Sequence, residues 1–208
     1  MKDSCLTQDV NGDVSDGSRP FALELGVGPD RLKGFDTHLQ RRLSSLQGLF
    51  NAERAYAQMV LSDPLVYEVY EKRRPEVAGE LLHGVTIIHP GRVGDEFFMT
   101  KGHYHSVRET AEIYYCLHGS GFLLMETEEG DWAAEEFSPG RMVYAPPCWA
   151  HRSINTGTDD LTLFFAYPGH SGHDYGTIEQ RGFRKLVIQR NGRIAVVDNP
   201  CWSATVER

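Results

Sequence analysis

The stretch that decides the fold is Gly102-His103-Tyr104-His105, followed seven residues on by Glu112. In an extended chain residues i and i+2 project from one face, so His103 and His105 point together. Glu112 opens an aromatic strand, Glu112-Ile113-Tyr114-Tyr115-Cys116. The loop 106–111 is short enough for a hairpin to set its carboxylate across from the two imidazoles. A fourth group, His151, follows Pro146-Pro147-Cys148-Trp149-Ala150, where two prolines fix the entry to a new strand. A lone H-x-H on a strand is ordinarily a surface pair. Joined by a glutamate and by a histidine after a proline-rich turn, it reads as a metal set. Three imidazoles and a carboxylate suit one divalent transition ion: Fe, Mn, Ni, Co or Zn.

Outward from this stretch the chain reads as strands. Residues 65–70, 84–89, 96–100, 121–126, 141–145, 161–167, 185–189 and 193–197 are short β-branched or aromatic runs, punctuated by turn residues such as Asn191-Gly192. Their number and spacing predict an all-β sandwich or barrel. A helix is predicted from Ala52 to about Leu61, with Asn51 as its cap and Asp63-Pro64 as its stop. Leu39, Leu43 and Leu46 are helically spaced, but Gly48 intervenes and leaves that piece ambiguous. Residues 1–19 are polar and small and read as a flexible tail; 20–208 read as a single domain.

Composition narrows the function classes. Of 208 residues, 29 are acidic and 21 basic, a net charge of −8. That excludes nucleic acid and anionic membrane surfaces as partners, both of which demand a basic face. Cys5, Cys116, Cys148 and Cys201 are scattered, with no C-x-x-C pair, which suits a reducing cytoplasm. No apolar stretch has the length of a signal peptide core or a membrane helix.

The rest of the pocket discriminates among metal-site chemistries. Thr86, Thr100 and Gly102 are small hydrogen-bonding groups on strands next to the H-x-H. A glycine amide approaches an anion closely because no Cβ blocks it, so a phosphate held there would lie near the metal. Downstream stand Tyr167-Pro168 and Gly172-His173-Asp174-Tyr175-Gly176. His38, His83, His89, His118 and His170 read as surface or turn positions, Asp159-Asp160 as a solvated turn, and Cys116 as facing inward by strand parity with Glu112.

The two metal segments, Gly102-His103-Tyr104-His105…Glu112…Gly119 and Gly140…Pro146…His151…Asn155, resemble the cupin superfamily. With residues 63–70, 97–105 and Asp198-Asn199-Pro200-Cys201-Trp202, they resemble one branch of it, the cupin-type (archaeal-type) glucose-6-phosphate isomerases, over about residues 20 to 203. The resemblance implies a double-stranded β-helix (jelly-roll) barrel, here with a short N-terminal helix and extra N-terminal strands. It implies metal ligation by His103, His105, Glu112 and His151, with iron commonly native. It also implies phosphate binding by Thr86, Thr100 and Gly102 with help from Tyr67 and Tyr114, and a sugar end lined by Tyr167, His173 and Tyr175. Glu112, His173 and Tyr167 are the expected catalytic residues, a phosphorylated hexose the substrate and a homodimer the assembly. Cys148 departs from the aromatic residue expected before Trp149.

Moving one hydrogen between C1 and C2 of an aldose needs an electrophile at the carbonyl oxygen and a base at carbon, and Glu112 is placed for the latter. The expected route is a cis-enediol. Two rivals are a cupin dioxygenase, which calls for an apolar pocket without a phosphate cradle, and a non-catalytic sugar-phosphate-binding cupin, which needs no Lewis acid.

Overall fold

The computed structural model describes residues 19–202. The tail expected over 1–19 therefore lies, apart from Arg19, outside the described residues. Seventeen strands and two short α-helices follow in order. The first strands are β1 (Glu24–Leu25), β2 (Leu32–Lys33) and β3 (Thr37–Arg42); helix α1 (Glu53–Met59) comes next. Then come β4 (Leu65–Lys72), β5 (Leu81–Ile88), β6 (Arg92–Val93), β7 (Glu96–Phe97), β8 (Tyr104–His105), β9 (Glu112–His118) and β10 (Gly121–Glu126). They continue with β11 (Trp132–Phe137), β12 (Met142–Ala145), β13 (Ala150–Asn155), β14 (Leu161–Pro168) and β15 (His173–Asp174). Helix α2 (Gly176–Arg181), β16 (Lys185–Arg190) and β17 (Arg193–Asp198) close the described chain.

Two antiparallel sheets carry the barrel. One has the order β12-β9-β14-β5-β4-β3, the other β11-β10-β13. Alternation drives both: Leu161, Leu163, Phe165 and Tyr167 of β14 are buried, as are Glu112, Tyr114 and Cys116 of β9, while Tyr115 is exposed. Leu123 and Ile154 from the smaller sheet meet Cys116 and Leu163 from the larger one in a single apolar cluster. This is the all-β barrel that the strand pattern predicts, in the jelly-roll form that the resemblance implies, with β3 and β4 as extra N-terminal strands on the β5 edge. β16 and β17 form a hairpin beside β7.

Several expectations change. No H-x-H hairpin forms: β8 pairs with β15, and His103 makes an isolated bridge to His151, so Glu112 arrives on a different sheet. The run 96–100 is a strand only over Glu96–Phe97, because Met99 bridges to Ile154 across the barrel instead. The ambiguous Leu39 segment is strand β3, its leucine spacing arising from a change to a 3-10 turn at Leu43–Leu46. Asn51 does not cap α1; its side chain donates to Asn199 Oδ1, and Glu96 Oε1 accepts the N–H groups of Asn51 and Ala52. His38 and His89 are not isolated surface groups, since both flank the buried Glu68 carboxylate, and Asp160 accepts from His89. Cys116 does face inward, and burial pushes its thiol up to about 11.

Asn155 locks the two sheets together. Its side chain is fully buried (0% exposed), donates to Ile88 O at 2.7 Å and Asp159 O at 2.9 Å, and accepts from Gly157 N at 2.9 Å. Asn155→Ala would leave those groups unpaired in a dry interior, at a cost of about 2–4 kcal/mol. Calorimetry should show the melting temperature falling by roughly 5–15 °C; a fall of only a degree or so would mean that water satisfies these groups.

Candidate active site

Four donors converge inside the barrel. Single ligand atoms of His103, His105, Glu112 and His151 all lie within 4.8 Å of one another. β9 carries Glu112, which is 3% exposed, and β13, buried along its whole length, carries His151. His103 and His105 are held against β13 and β15. The turn before β13 uses Cys148 at φ 69°, with its N–H donated to Arg108 O at 2.7 Å.

The hydrogen bonds around the imidazoles define their protonation. Thr110 donates its hydroxyl hydrogen to Val107 O, so its Oγ1, 2.9 Å from His105 Nδ1, is an acceptor. His151 Nδ1 faces Trp149 O at 3.2 Å, also an acceptor. In both rings Nδ1 therefore donates, which assigns the neutral tautomer with a lone pair on Nε2. Both lone pairs point at one atom, Glu112 Oε2, at 3.1 and 2.9 Å. Three lone-pair donors facing each other repel unless a cation lies among them; the alternative, two buried imidazoliums 5.3 Å apart, is costly. His103 Nε2 is buried with no hydrogen-bond partner, and burial, with His151 and His173 beside it, drives its pKa well below 6.5. This donor set fits one divalent transition ion.

The centre opens into a pocket lined by all the other residues expected from the sequence: Tyr67, Thr86, Thr100, Gly102, Tyr114, Tyr167, His173 and Tyr175. Gly102 sits at φ 76°, and a Cβ there would lie 2.6 Å from the Phe183 ring, so only glycine fits. Thr100 Oγ1 accepts from Ser153 N at 3.1 Å, which leaves its hydroxyl hydrogen free to donate. Tyr114 places its hydroxyl at the Glu112 carboxylate; burial and that charge raise its pKa well above 10. Burial likewise raises Tyr167, and raises Tyr175 to about 12, so both are neutral donors at pH 7. His173 packs 4.4 Å from the His103 ring and stacks on Tyr175 at 5.6 Å; burial lowers its pKa and keeps it neutral. Arg108 ties this corner together, donating to His105 O and to Asp174 Oδ2.

The sequence reading missed the charged members of the wall: Arg41, Glu71 and Lys101. Arg41 was hidden because β3 was not read as a strand. Glu71 and Lys101 adjoin residues singled out on β4 and in the Thr100–Gly102 loop, and period-two projection from Tyr67 identifies Glu71 as a pocket residue.

Comparison with known proteins bears on the same residues. Residues 40–201 match the family described as Glucose-6-phosphate isomerase (GPI). The glucose-6-phosphate isomerase of Thermococcus onnurineus is 48% identical over 182 residues, 88% of this chain and 94% of that one. That of Pyrococcus furiosus is 48% identical over 184 residues, 88% of this chain and 97% of that one. That of Thermococcus litoralis is 50% identical over 163 residues, 78% of this chain and 86% of that one. Identity near one half across almost the full length of these relatives means that the chain belongs to the glucose-6-phosphate isomerase family.

Proposed function

We propose that the protein interconverts glucose 6-phosphate and fructose 6-phosphate as a divalent-metal-dependent aldose–ketose isomerase, with iron as its native metal. The observation that carries this reading is one continuous pocket lined both by His103 and Glu112 of the metal set and by Thr86, Thr100 and Gly102. A sugar phosphate has two polar ends, and this pocket has two matching sets of groups. The hydroxyl-rich wall also sets it apart from the apolar pocket that a dioxygenase of hydrophobic substrates requires.

His103, His105, Glu112 and His151 would hold the metal, which when bound supplies Lewis-acid polarisation at the carbonyl end of the substrate. The remaining work falls to the chain itself. Glu112 takes the proton from one of C1 and C2 and returns it to the other, through a cis-enediol, while a second proton passes between O1 and O2 as the carbonyl shifts. The Tyr114 hydroxyl at its carboxylate steadies the charge while the proton is away. His173 is neutral, so it both takes and gives a proton, which suits it to opening the sugar ring at O5. Tyr167 and Tyr175 are locked as donors by their raised pKa values and orient the sugar hydroxyls. Tyr67, Thr86, Thr100 and the Gly102 amide receive the phosphate.

We further propose a homodimer in a reducing, cytoplasmic setting. The outer face of the larger sheet supports the first: Met142 lies opposite Tyr115 and Tyr144 opposite Ile113, and Met142 and Tyr144 are 59% and 51% exposed. The free thiols of Cys116, Cys148 and Cys201 support the second.

These outcomes are expected. Chelation should abolish formation of glucose 6-phosphate from fructose 6-phosphate, with ferrous iron restoring it; in Glu112→Gln the turnover number should fall by about 100- to 10,000-fold. Full activity in chelator, or in that variant, would remove the metal–carboxylate centre from the mechanism. Run in D2O, the isomerase should place solvent deuterium in recovered substrate or product, as an exchanging base demands; strict retention of the original hydrogen would instead indicate a direct hydride shift. Sedimentation equilibrium should give a particle of two chains, and Met142→Glu should release monomers. A monomeric wild type would sink the dimer.

A further inference from the structure

Within the isomerase reading, on which this inference rests, one wall of the pocket holds a cation with no assigned work. Arg41 stands on the edge strand β3 directly opposite Tyr67 of β4, and the strand register shifts between Arg41 and Arg42. Such a bulge re-aims a side chain and recurs beside active sites. Arg41 lines the pocket together with Tyr67, Thr86, Thr100 and Gly102. Its Nε is buried and has no hydrogen-bond partner.

The charges around it explain why that matters. Two carboxylates, Glu71 and Glu112, line the same pocket and would repel a phosphate dianion. Lys101, the other lining cation, is committed to Glu179 at 2.7 Å. The threonine hydroxyls and the Gly102 amide are neutral donors. Among the described residues Arg41 forms no salt bridge. Glu71 stands four residues from Tyr67 along β4, about 13 Å at strand rise. The guanidinium lies beside the Tyr67 hydroxyl, which also meets the Lys101 amide, and near the Tyr175 hydroxyl; in both it opposes the rise that burial causes. An unpaired, planar, multi-donor cation at this place matches the oxygens of a phosphoryl group.

We propose that Arg41 is the cationic ligand of the substrate phosphate, donating to its oxygens alongside the threonine cradle and setting the preference for phosphorylated over free hexose.

Calorimetry with inorganic phosphate as the probe, on wild type, Arg41→Met and Arg41→Lys, tests this without requiring turnover. Phosphate affinity should fall about 10- to 100-fold in Arg41→Met. It should fall less in Arg41→Lys, which keeps the charge and loses the fork. In the metal-loaded enzyme the same factor should appear in KM for fructose 6-phosphate, with kcat within a few-fold of wild type. Phosphate affinity and KM within two-fold of wild type in Arg41→Met would overturn the assignment. A fall confined to kcat would overturn it too, since that would mean Arg41 acts on the reacting carbons through Tyr67. A wild type that binds phosphate through Arg41 but isomerises nothing would refute the isomerase reading while upholding the anion site. Circular dichroism confirms that each variant is folded; should the methionine variant not fold, the lysine variant carries the comparison.

Discussion

Two imidazole lone pairs aimed at a single carboxylate oxygen, in the buried interior of the barrel, form the constraint on which the rest of this structure depends. Thr110 and the Trp149 carbonyl fix those lone pairs by occupying the opposite ring nitrogens. With His103 Nε2 also left without a partner, the arrangement is repulsive until a cation enters it. The energetic consequence reaches the whole fold. β9 and β13 belong to different sheets, and Glu112 and His151 are the polar groups that meet between them. A divalent ion held by these residues would join the two sheets, and its binding free energy would in part be folding free energy.

Much of this was legible in the sequence because it follows from period-two projection and turn chemistry. The alternation in β9 and β14, the H-x-H spacing and the Pro146-Pro147 entry to β13 are local signals, and each leads to the right wall of the barrel. What failed to show were contacts between residues distant in the chain. Nothing near Asn51 reveals that Glu96, forty-five residues on, takes its N–H. The short loop after His105 suggests a hairpin, yet β8 finds a better partner in β15, which brings His173 level with His105. β11, Trp132-Ala133-Ala134-Glu135-Glu136-Phe137, shows little apolar alternation because most of it faces solvent or stands at a sheet edge. β3 was obscured differently: its leucines continue into a 3-10 turn, so strand and turn blur into one helical spacing, and Arg41 is lost with them.

The distribution of charge reconciles an acidic protein with the proposed anionic substrate. Net charge governs long-range steering; affinity at a site depends on the few groups in contact. Outside the pocket, Glu68 and Asp160 are met by His38 and His89, and Asp174 by Arg108. Inside it, a metal held by the histidines would offset Glu112, and Arg41 lines the wall that carries Thr86, Thr100 and Gly102. The −8 of the whole chain is therefore compatible with a pocket that would be locally cationic once a divalent ion is bound.

Rigidity of the phosphate end has a separate source. Arg152, 3% exposed, donates through its guanidinium to Lys101 O and stacks on Phe183 at 4.6 Å, so it pins the Thr100–Gly102 loop from behind. Burial lowers its pKa to about 10, and Glu96 and Glu126 oppose that by keeping it charged. Glu96 also accepts the N–H groups that lead into α1, and Glu126 accepts Arg184 N just before β16. One buried cation therefore couples the loop that shapes the cradle to the N-terminal helix and to the C-terminal hairpin. A loop carrying a glycine at positive φ keeps a fixed amide direction only when its neighbours are fixed, and here those neighbours come from both ends of the chain. The site is thus a property of the whole described barrel and is not confined to the metal segments.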